Sequence, residues 1–228
     1  MLRTLALSPL LAAQAAFVIA RAERLPEPEG PRTGEAGQGP ALRLLILGDS
    51  SAAGVGARHQ SVALSGRLAA RLAESFALTW QLEARTGATS ASALATARAL
   101  PGARFDVALV ALGVNDVTRF VSARRFRETR RALHEVLRAR FGVGRIVSSG
   151  LPPMGQFPLL PRPLRSMLGQ KAVALDAALA ELCAEDAALT HVPLDLPFEP
   201  HLMASDGFHP SEAAYAHWAD MLAPHLRA

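Results

Sequence analysis

Short, largely apolar runs alternate along the chain with longer stretches in which apolar residues recur every three or four positions. The first kind predicts strands buried on both faces and the second amphipathic helices. Leu42 to Leu47 predicts a buried strand, and Ser61 to Phe76 a helix with Val62, Leu68, Leu72 and Phe76 roughly on one face. Leu78 to Ala84 predicts a second strand and Ser90 to Leu100 a second helix. Val107 to Leu112 is the clearest strand, followed by a helix from about Ser122 to Arg140 and a strand from Arg145 to Ser149. A Pro-rich loop from Leu151 to Pro163 leads to a helix near Arg165 to Asp186, whose Ala and Leu content favours helix. His191 to Leu194 is a weak last strand, and Ser211 to Leu226 a closing helix with Ser211 as its N-cap. Five strands separated by helices imply an α/β fold, a parallel sheet covered on both faces.

The first forty residues break this pattern. From Leu5 to Ala20 the chain is almost purely apolar, with Arg3 before it and Arg21 and Arg24 after it. Residues 1–24 are therefore expected to be a signal or anchor segment, making the protein exported or membrane-anchored. The Ala20-Arg21-Ala22 triplet has the small-x-small form of a cleavage site, while the basic flank suits an uncleaved anchor. The run of 16 residues is short of the roughly 20 of a full span. The alternative is an ordinary N-terminal helix packed on the domain. Residues 25–40, LPEPEGPRTGEAGQGP, have the composition of a linker, so the folded domain is expected at 41–228.

Composition narrows the class. With 228 residues, half of them apolar and 19% charged, the chain has room for one packed domain plus an extension and does not read as disordered. The formal charge of +4 is carried almost wholly by arginine, Lys171 being the only lysine, which reads as a compositional habit rather than a nucleic-acid footprint. No nucleic-acid partner is expected. Cys183, the only cysteine, excludes an intrachain disulfide and reads as a small buried hydrophobe.

Candidate chemistry stands where the predicted strands end. The first strand runs into Gly48-Asp49-Ser50-Ser51-Ala52-Ala53-Gly54, a turn of small residues at the edge where open α/β sheets bind ligands. Such a turn either exposes a serine nucleophile or is simply a turn. It lacks the Gly-Lys-Ser/Thr ending of a phosphate loop and the third glycine of a dinucleotide fingerprint, which disfavours a nucleotide-binding flavodoxin-like protein. The third strand ends in Gly113-Val114-Asn115-Asp116, where the Asn115 amide can meet a developing oxyanion. Between them, Gly87 follows the second strand and can offer a backbone N–H with no side chain in the way. Near the C-terminus, Asp206-Gly207-Phe208-His209 places a carboxylate and an imidazole three residues apart, the pairing a weak serine nucleophile needs.

Together the four segments resemble the four blocks of the SGNH (GDSL) hydrolase family, in order and spacing. The strings LGDSSAAG, LGVNDVT and DGFHPSEAAY carry the resemblance, which extends over residues 42–225. It implies Ser50 as nucleophile, His209 as base and Asp206 as its orienting partner. It also implies an oxyanion hole from the Ser50 and Gly87 N–H groups and the Asn115 amide, and a flavodoxin-like three-layer α/β/α sandwich with a five-stranded parallel sheet. Ser51 stands where the family most often has leucine, so the segment reads GDSS. The implied activity is a serine esterase acting through an acyl-enzyme on small or medium acyl esters, thioesters or lysolipids. The alternatives are a carbohydrate O-acetyl esterase and a catalytically idle, membrane-tethered binding module of the same fold.

His59, His134, His191, His201, His217 and His225 lack partners at metal spacing and read as surface or satisfied structural residues, so neither metal nor cofactor is expected. The helix bearing Arg124, Arg125, Arg127, Arg130, Arg131, Arg138 and Arg140 reads as a solvated face partly balanced by Glu128 and Glu135, with a membrane-surface patch as the alternative. The apolar loop Pro152 to Leu160 is either an acyl-chain wall or core packing.

Overall fold

A computed structural model describes residues 2–196 and 199–227. Its elements begin with α1 (Leu2–Arg21), β1 (Thr33–Ala36), β2 (Ala41–Gly48), α2 (Leu64–Ala73), β3 (Ala77–Ala84) and α3 (Ser90–Ala99). They continue with β4 (Val107–Ala111), α4 (Val114–Thr118), α5 (Ala123–Phe141), β5 (Arg145–Ser149), α6 (Leu164–Ala184), β6 (Leu189–Val192) and α7 (Glu212–Leu226). The strands form one sheet in the order β1-β3-β2-β4-β5-β6.

The sheet has six strands rather than five. β2 to β6 are parallel, and β1 adds an antiparallel edge against β3, pairing Gly34 with Trp80. Its sequence, Thr-Gly-Glu-Ala, lies in the stretch read as linker and has no apolar alternation to betray a strand. Backbone pairing and close approach hold it instead: a Cβ at Gly34 would fall 2.3 Å from the Trp80 ring.

β2 shows why the strands read as continuous apolar runs. Leu42, Leu44 and Ile46 pack with Leu68 and Leu72 of α2 and Tyr215 and Leu222 of α7. Leu45 and Leu47 pack on the other face with Ala93 and Ala97 of α3 and Leu133 and Leu137 of α5. A sheet buried on both faces has no polar side to alternate with. Arg43 escapes at the solvent-facing start of β2, where its guanidinium pairs with Asp106 at 2.7 Å. A third cluster under α6 includes Leu151, Phe157, Leu168 and Leu175, completing the three-layer α/β/α sandwich.

Several boundaries depart from the sequence reading. The Ser61–Phe76 helix is broken: Gln60–Val62 is a 3-10 turn, Ala63 is extended, and α2 starts at Leu64. The last strand lies two residues earlier than expected, and the short α4 carries too few residues to show a period. Ser211 caps α7 as expected, accepting from Ala214 N at 3.3 Å.

α1 rests on the domain. Leu11, Ala15 and Val18 face the cluster under α6, while the Gln14 amide donates to Arg162 O at 2.6 Å and accepts from Leu164 N at 3.1 Å. Leu10 and Phe17 are exposed. Among the described residues, no helix is long and apolar enough to cross a membrane. Three arginines of α5 meet acids around the end of α6: Arg127 pairs with Glu181 and Glu185, Arg131 with Glu185, and Arg138 with Asp186. Arg124 pairs with Glu128 within α5, while Arg130, read with the others as solvated, is fully buried.

Candidate active site

The parallel register makes the carboxyl ends of three strands level, since Gly48 pairs with both Ala84 and Ala111. The segments that leave these strands therefore meet at one edge. The β2 exit is a tight turn, with Ala53 N bonded to Asp49 O at 2.9 Å and Val55 N to Ser50 O at 3.0 Å. It folds so close over the strand end that a Cβ on Gly48 would lie 2.1 Å from that of Ala52.

Ser50 Oγ stands 2.8 Å from His209 Nε2, and His209 Nδ1 lies 2.5 Å from Asp206 Oδ2. With the ring proton on Nδ1, that nitrogen donates to the carboxylate, and Nε2 keeps its lone pair for the serine hydroxyl. Asp206 is fixed in turn by the Phe208 and His209 backbone N–H groups, each 2.9 Å from Oδ1. Burial works against the charge on Asp206, but the bonds from the His209 ring and the two N–H groups outweigh it and hold the carboxyl below its ordinary pKa. A carboxylate against one ring nitrogen is the arrangement that can stabilise an imidazolium.

The neighbouring serine is differently placed. Ser51 N donates to Asp49 Oδ1 at 3.0 Å, and the hydroxyl facing His209 is that of Ser50. Asp49 is buried, and burial, opposed by the Ser51 N–H and the His209 charge, pushes its pKa up to about 6.

The other two segments converge on the same edge. Asn115, the second residue of α4, donates one amide hydrogen to Ala88 O at 3.0 Å, leaving its second amide hydrogen for another acceptor. Gly87 has φ of +78°, a left-handed value suited to glycine, and a Cβ there would meet nothing within 4 Å. The intervening turn is anchored by Asp116, whose Oδ2 accepts from both the N and the Oγ of Ser90 at 3.0 Å. All the candidate residues, Ser50, Gly87, Asn115, Asp206 and His209, thus belong to segments at one sheet edge, Asn115 on the first turn of α4 and the others in loops.

A cleft opens beside Ser50 and His209. It is lined by the chain neighbours of Ser50, Asp49 and Ser51, and by those of His209, Phe208 and Pro210, rather than by Ser50 and His209 themselves; Leu151 and Trp218 are among the apolar walls. The Pro152–Leu160 loop is divided, with Met154 and Leu160 buried in the core and Pro152 and Phe157 on the cleft. Phe157 meets Phe208 edge to face, with centroids 5.1 Å apart.

Residues 46–217 match the model of the GDSL-like lipase/acylhydrolase family. The chain belongs to that family. A GDSL-like esterase of Mycobacterium tuberculosis is 32% identical over 203 residues, covering 82% of this chain and 62% of the relative. The chain thus spans about three-fifths of the length of that GDSL relative. The crystal structure of TesA superposes with a TM-score of 0.63 at 22% identity, covering 81% of this chain and 98% of that one. A psychrotrophic esterase, EstA from Pseudoalteromonas sp., matches with a TM-score of 0.62 at 21% identity, covering 81% and 96%. At such identities these two likenesses speak for the GDSL fold alone.

Sequence reasoning missed the residues that support the site. Asp116 lies 26 positions from Ser90, and Asp176 lies 15 from His191, whose Nε2 it meets at 2.9 Å. Neither spacing is a local signature. His134, read as structural, is buried beside Ser148 and Arg130, and burial together with the Arg130 charge pushes its pKa down to about 3. Arg130 is itself fully buried and donates to Ser148 Oγ at 2.9 Å.

Proposed function

We propose that the protein is a carboxylic ester hydrolase that works through an acyl-enzyme on Ser50. The observation that carries this reading is the continuous hydrogen-bonded chain from Ser50 Oγ through both His209 nitrogens to Asp206. Ser50 Oγ attacks the ester carbonyl carbon as its proton passes to His209 Nε2. The carbonyl oxygen becomes an oxyanion, met by the Ser50 and Gly87 N–H groups and the free amide hydrogen of Asn115. Collapse expels the alcohol, which takes the proton from Nε2. Water then attacks the acyl-enzyme, giving its proton to Nε2. The second collapse frees the acid and returns that proton to Ser50.

The mainly apolar cleft supports small or medium acyl chains, on oxygen esters, thioesters or lysolipids. Its walls, Leu151, Phe157 and Trp218 among them, offer a sugar few polar partners, which favours an acyl ester over a carbohydrate O-acetyl group. EstA was crystallised inhibited by monoethylphosphonate, and a phosphonate probe is the natural test here. Treatment with a fluorophosphonate should add its mass to the peptide bearing Ser50. Ser50→Ala should abolish labelling and turnover of a short p-nitrophenyl ester, while Ser51→Ala keeps most of both. A chain unlabelled by the probe and inactive on every activated ester would instead be an idle binding module.

The N-terminal segment is proposed to hold the enzyme at a membrane surface or to export it, supported by the apolar Leu10 and Phe17 exposed on α1 and the basic Arg21 and Arg24 that follow. Activity from cells expressing the full chain should then appear in the membrane or exported fraction; activity wholly in the cytosol would refute this.

A further inference from the structure

The stretch after α1 does more than join it to the sheet. Glu23 Oε2 accepts from Ser205 Oγ at 2.7 Å, next to Asp206. Pro28 lies over the nucleophile turn, where a Cβ on Gly54 would come within 2.9 Å of its ring, and its carbonyl accepts from the buried Gln60 at 3.4 Å. Between these, Glu27 Oε1 accepts from Thr86 N at 2.7 Å and from Thr86 Oγ1 at 2.8 Å. A single strap thus touches three of the loops at the site.

Glu27 makes the contact closest to the proposed oxyanion donors. Thr86 directly precedes Gly87, whose open left-handed turn carries no side chain to wedge it in place. The rest of that turn is held by groups of the sandwich itself: Arg119 donates to Gly87 O at 3.3 Å, Asn115 to Ala88 O at 3.0 Å, and Ser90 to Asp116. Its entry is held by the backbone, with Arg85 N donating to Gly48 O at 3.3 Å and Ala88 N to Arg85 O at 3.0 Å, and, at Thr86 itself, by the strap. The second Glu27 oxygen meets Arg32 Nη1 at 3.0 Å, and the Arg32 Nη2 donates to Ala84 O, so the acid and the base staple both sides of the strand exit. Burial opposes the charge of Glu27, yet the Thr86 donors and Arg32 keep its pKa below the ordinary value. A carboxylate suits the place because one oxygen takes two donors while the other takes a guanidinium.

We infer that Glu27 is a positioning residue of the oxyanion hole, fixing the Thr86–Gly87 turn so that the Gly87 N–H is presented to the reacting carbonyl. This rests on the reading of Ser50 as nucleophile and Gly87 as donor. Misplacing a donor weakens stabilisation of the oxyanion while leaving ground-state binding of the ester nearly intact. The loss belongs in kcat rather than KM.

The test uses the full chain and a short p-nitrophenyl ester. Glu27→Ala should lower kcat about 10- to 100-fold with KM changed less than about twofold, a smaller loss than the 100- to 1,000-fold typical of deleting a donor. Glu27→Gln, which keeps one acceptor oxygen and the side-chain shape, should recover part of that loss. Glu23→Ala cuts the neighbouring strap contact, the bond from Ser205 Oγ, and should leave kcat within about twofold of the unaltered chain. Melting curves show whether each variant is folded; if Glu27→Ala is not, Glu27→Gln decides, through the same separation of kcat from KM. Kinetics unchanged in the folded Glu27 variants would overturn the inference, as would a loss of kcat for Glu23→Ala equal to that of the folded Glu27 variants. Fluorophosphonate labelling at Ser50 in the same preparations separates that outcome from failure of the esterase reading, which would leave Ser50 unlabelled in the unaltered chain.

Discussion

Two carboxylate–imidazole pairs stand near the same edge of the sheet, and their imidazoles meet different partners. In Asp206 and His209 the partners are three residues apart in one loop, and the outer ring nitrogen faces the Ser50 hydroxyl at 2.8 Å. In the other, Asp176 comes from α6 and His191 from β6, and one Asp176 oxygen accepts from both the His191 ring, at 2.9 Å, and Leu151 N, at 2.8 Å. That second pair fixes the chain where it leaves β5, with Gly150 so close that an added Cβ would lie 3.0 Å from Asp176 Oδ1. An acid beside a histidine is therefore not in itself a site. What distinguishes the first pair is the serine turn that β2 delivers to it.

The strongest way to break this contrast is to cut the first pair. His209→Ala should lower kcat by about 10,000-fold or more, and Asp206→Asn by a similar order. Asp206→Asn combined with His209→Ala should be little worse than His209→Ala alone, because members of one relay are not additive. Kinetics at matched circular dichroism check this; multiplied losses in the double variant would show the two residues acting independently.

Asn115→Ala comes next, with an expected drop in kcat of about 100- to 1,000-fold, roughly 2.7 to 4 kcal/mol of transition-state stabilisation. KM should change far less. An unchanged kcat would remove Asn115 from the mechanism.

Asp49 sharpens the contrast from the side of stability, since the first pair has a third, buried carboxylate for a neighbour. Its folded pKa of about 6 exceeds the ordinary value of 3.8, so the folded state holds the proton more tightly than the unfolded one. Stability from this residue is greatest in acid and falls as pH rises from about 4 to beyond 6. Asp49→Asn removes that dependence while keeping an acceptor for Ser51 N. Urea unfolding should show little gain at pH near 4 and a gain of at most about 3 kcal/mol at pH near 8. Equal changes at both pH values would refute the assignment.

The smallest effect is expected from the second pair. Asp176→Asn and His191→Ala should cost about 1 to 2 kcal/mol of stability by urea unfolding and leave kcat within a few-fold. A loss of kcat on the scale of His209→Ala would make the two pairs equals and end the comparison.

How far all this was legible in the chain depends on range. The five parallel strands were visible because burial on both faces writes a run of Leu, Val and Ile, as in β2 and β4. β6 slid by two residues because Leu189–Val192 is only partly buried and mixes Thr and His with its apolar residues. β1 left no trace, since its partner is a backbone edge and its own residues are Thr, Gly, Glu and Ala. The break at Ala63 shows only as a mismatch of spacing: Val62 stands six positions before Leu68, off the face that Leu68 and Leu72 share four apart. At the site, Ser50, Gly87, Asn115, Asp206 and His209 could be named because each ends a strand or stands in a short distinctive string. Their supports could not: Glu27 meets Thr86 across 59 positions, and no spacing rule reaches that far.

β1 has one more consequence, for how molecules of this protein meet each other. Both outermost strands, β1 and β6, are four residues long, while the strands between them run from five to eight. A long bare edge is a template for pairing with another chain, and short edges deny it the length it needs. Without residues 33–36, the eight-residue β3, with Leu78, Trp80 and Leu82 along it, would present its ladder of N–H and C=O groups to solvent. The four residues of β1, with Glu35 exposed, cover part of that seam and leave a shorter edge in its place, the kind that offers another chain little to pair with.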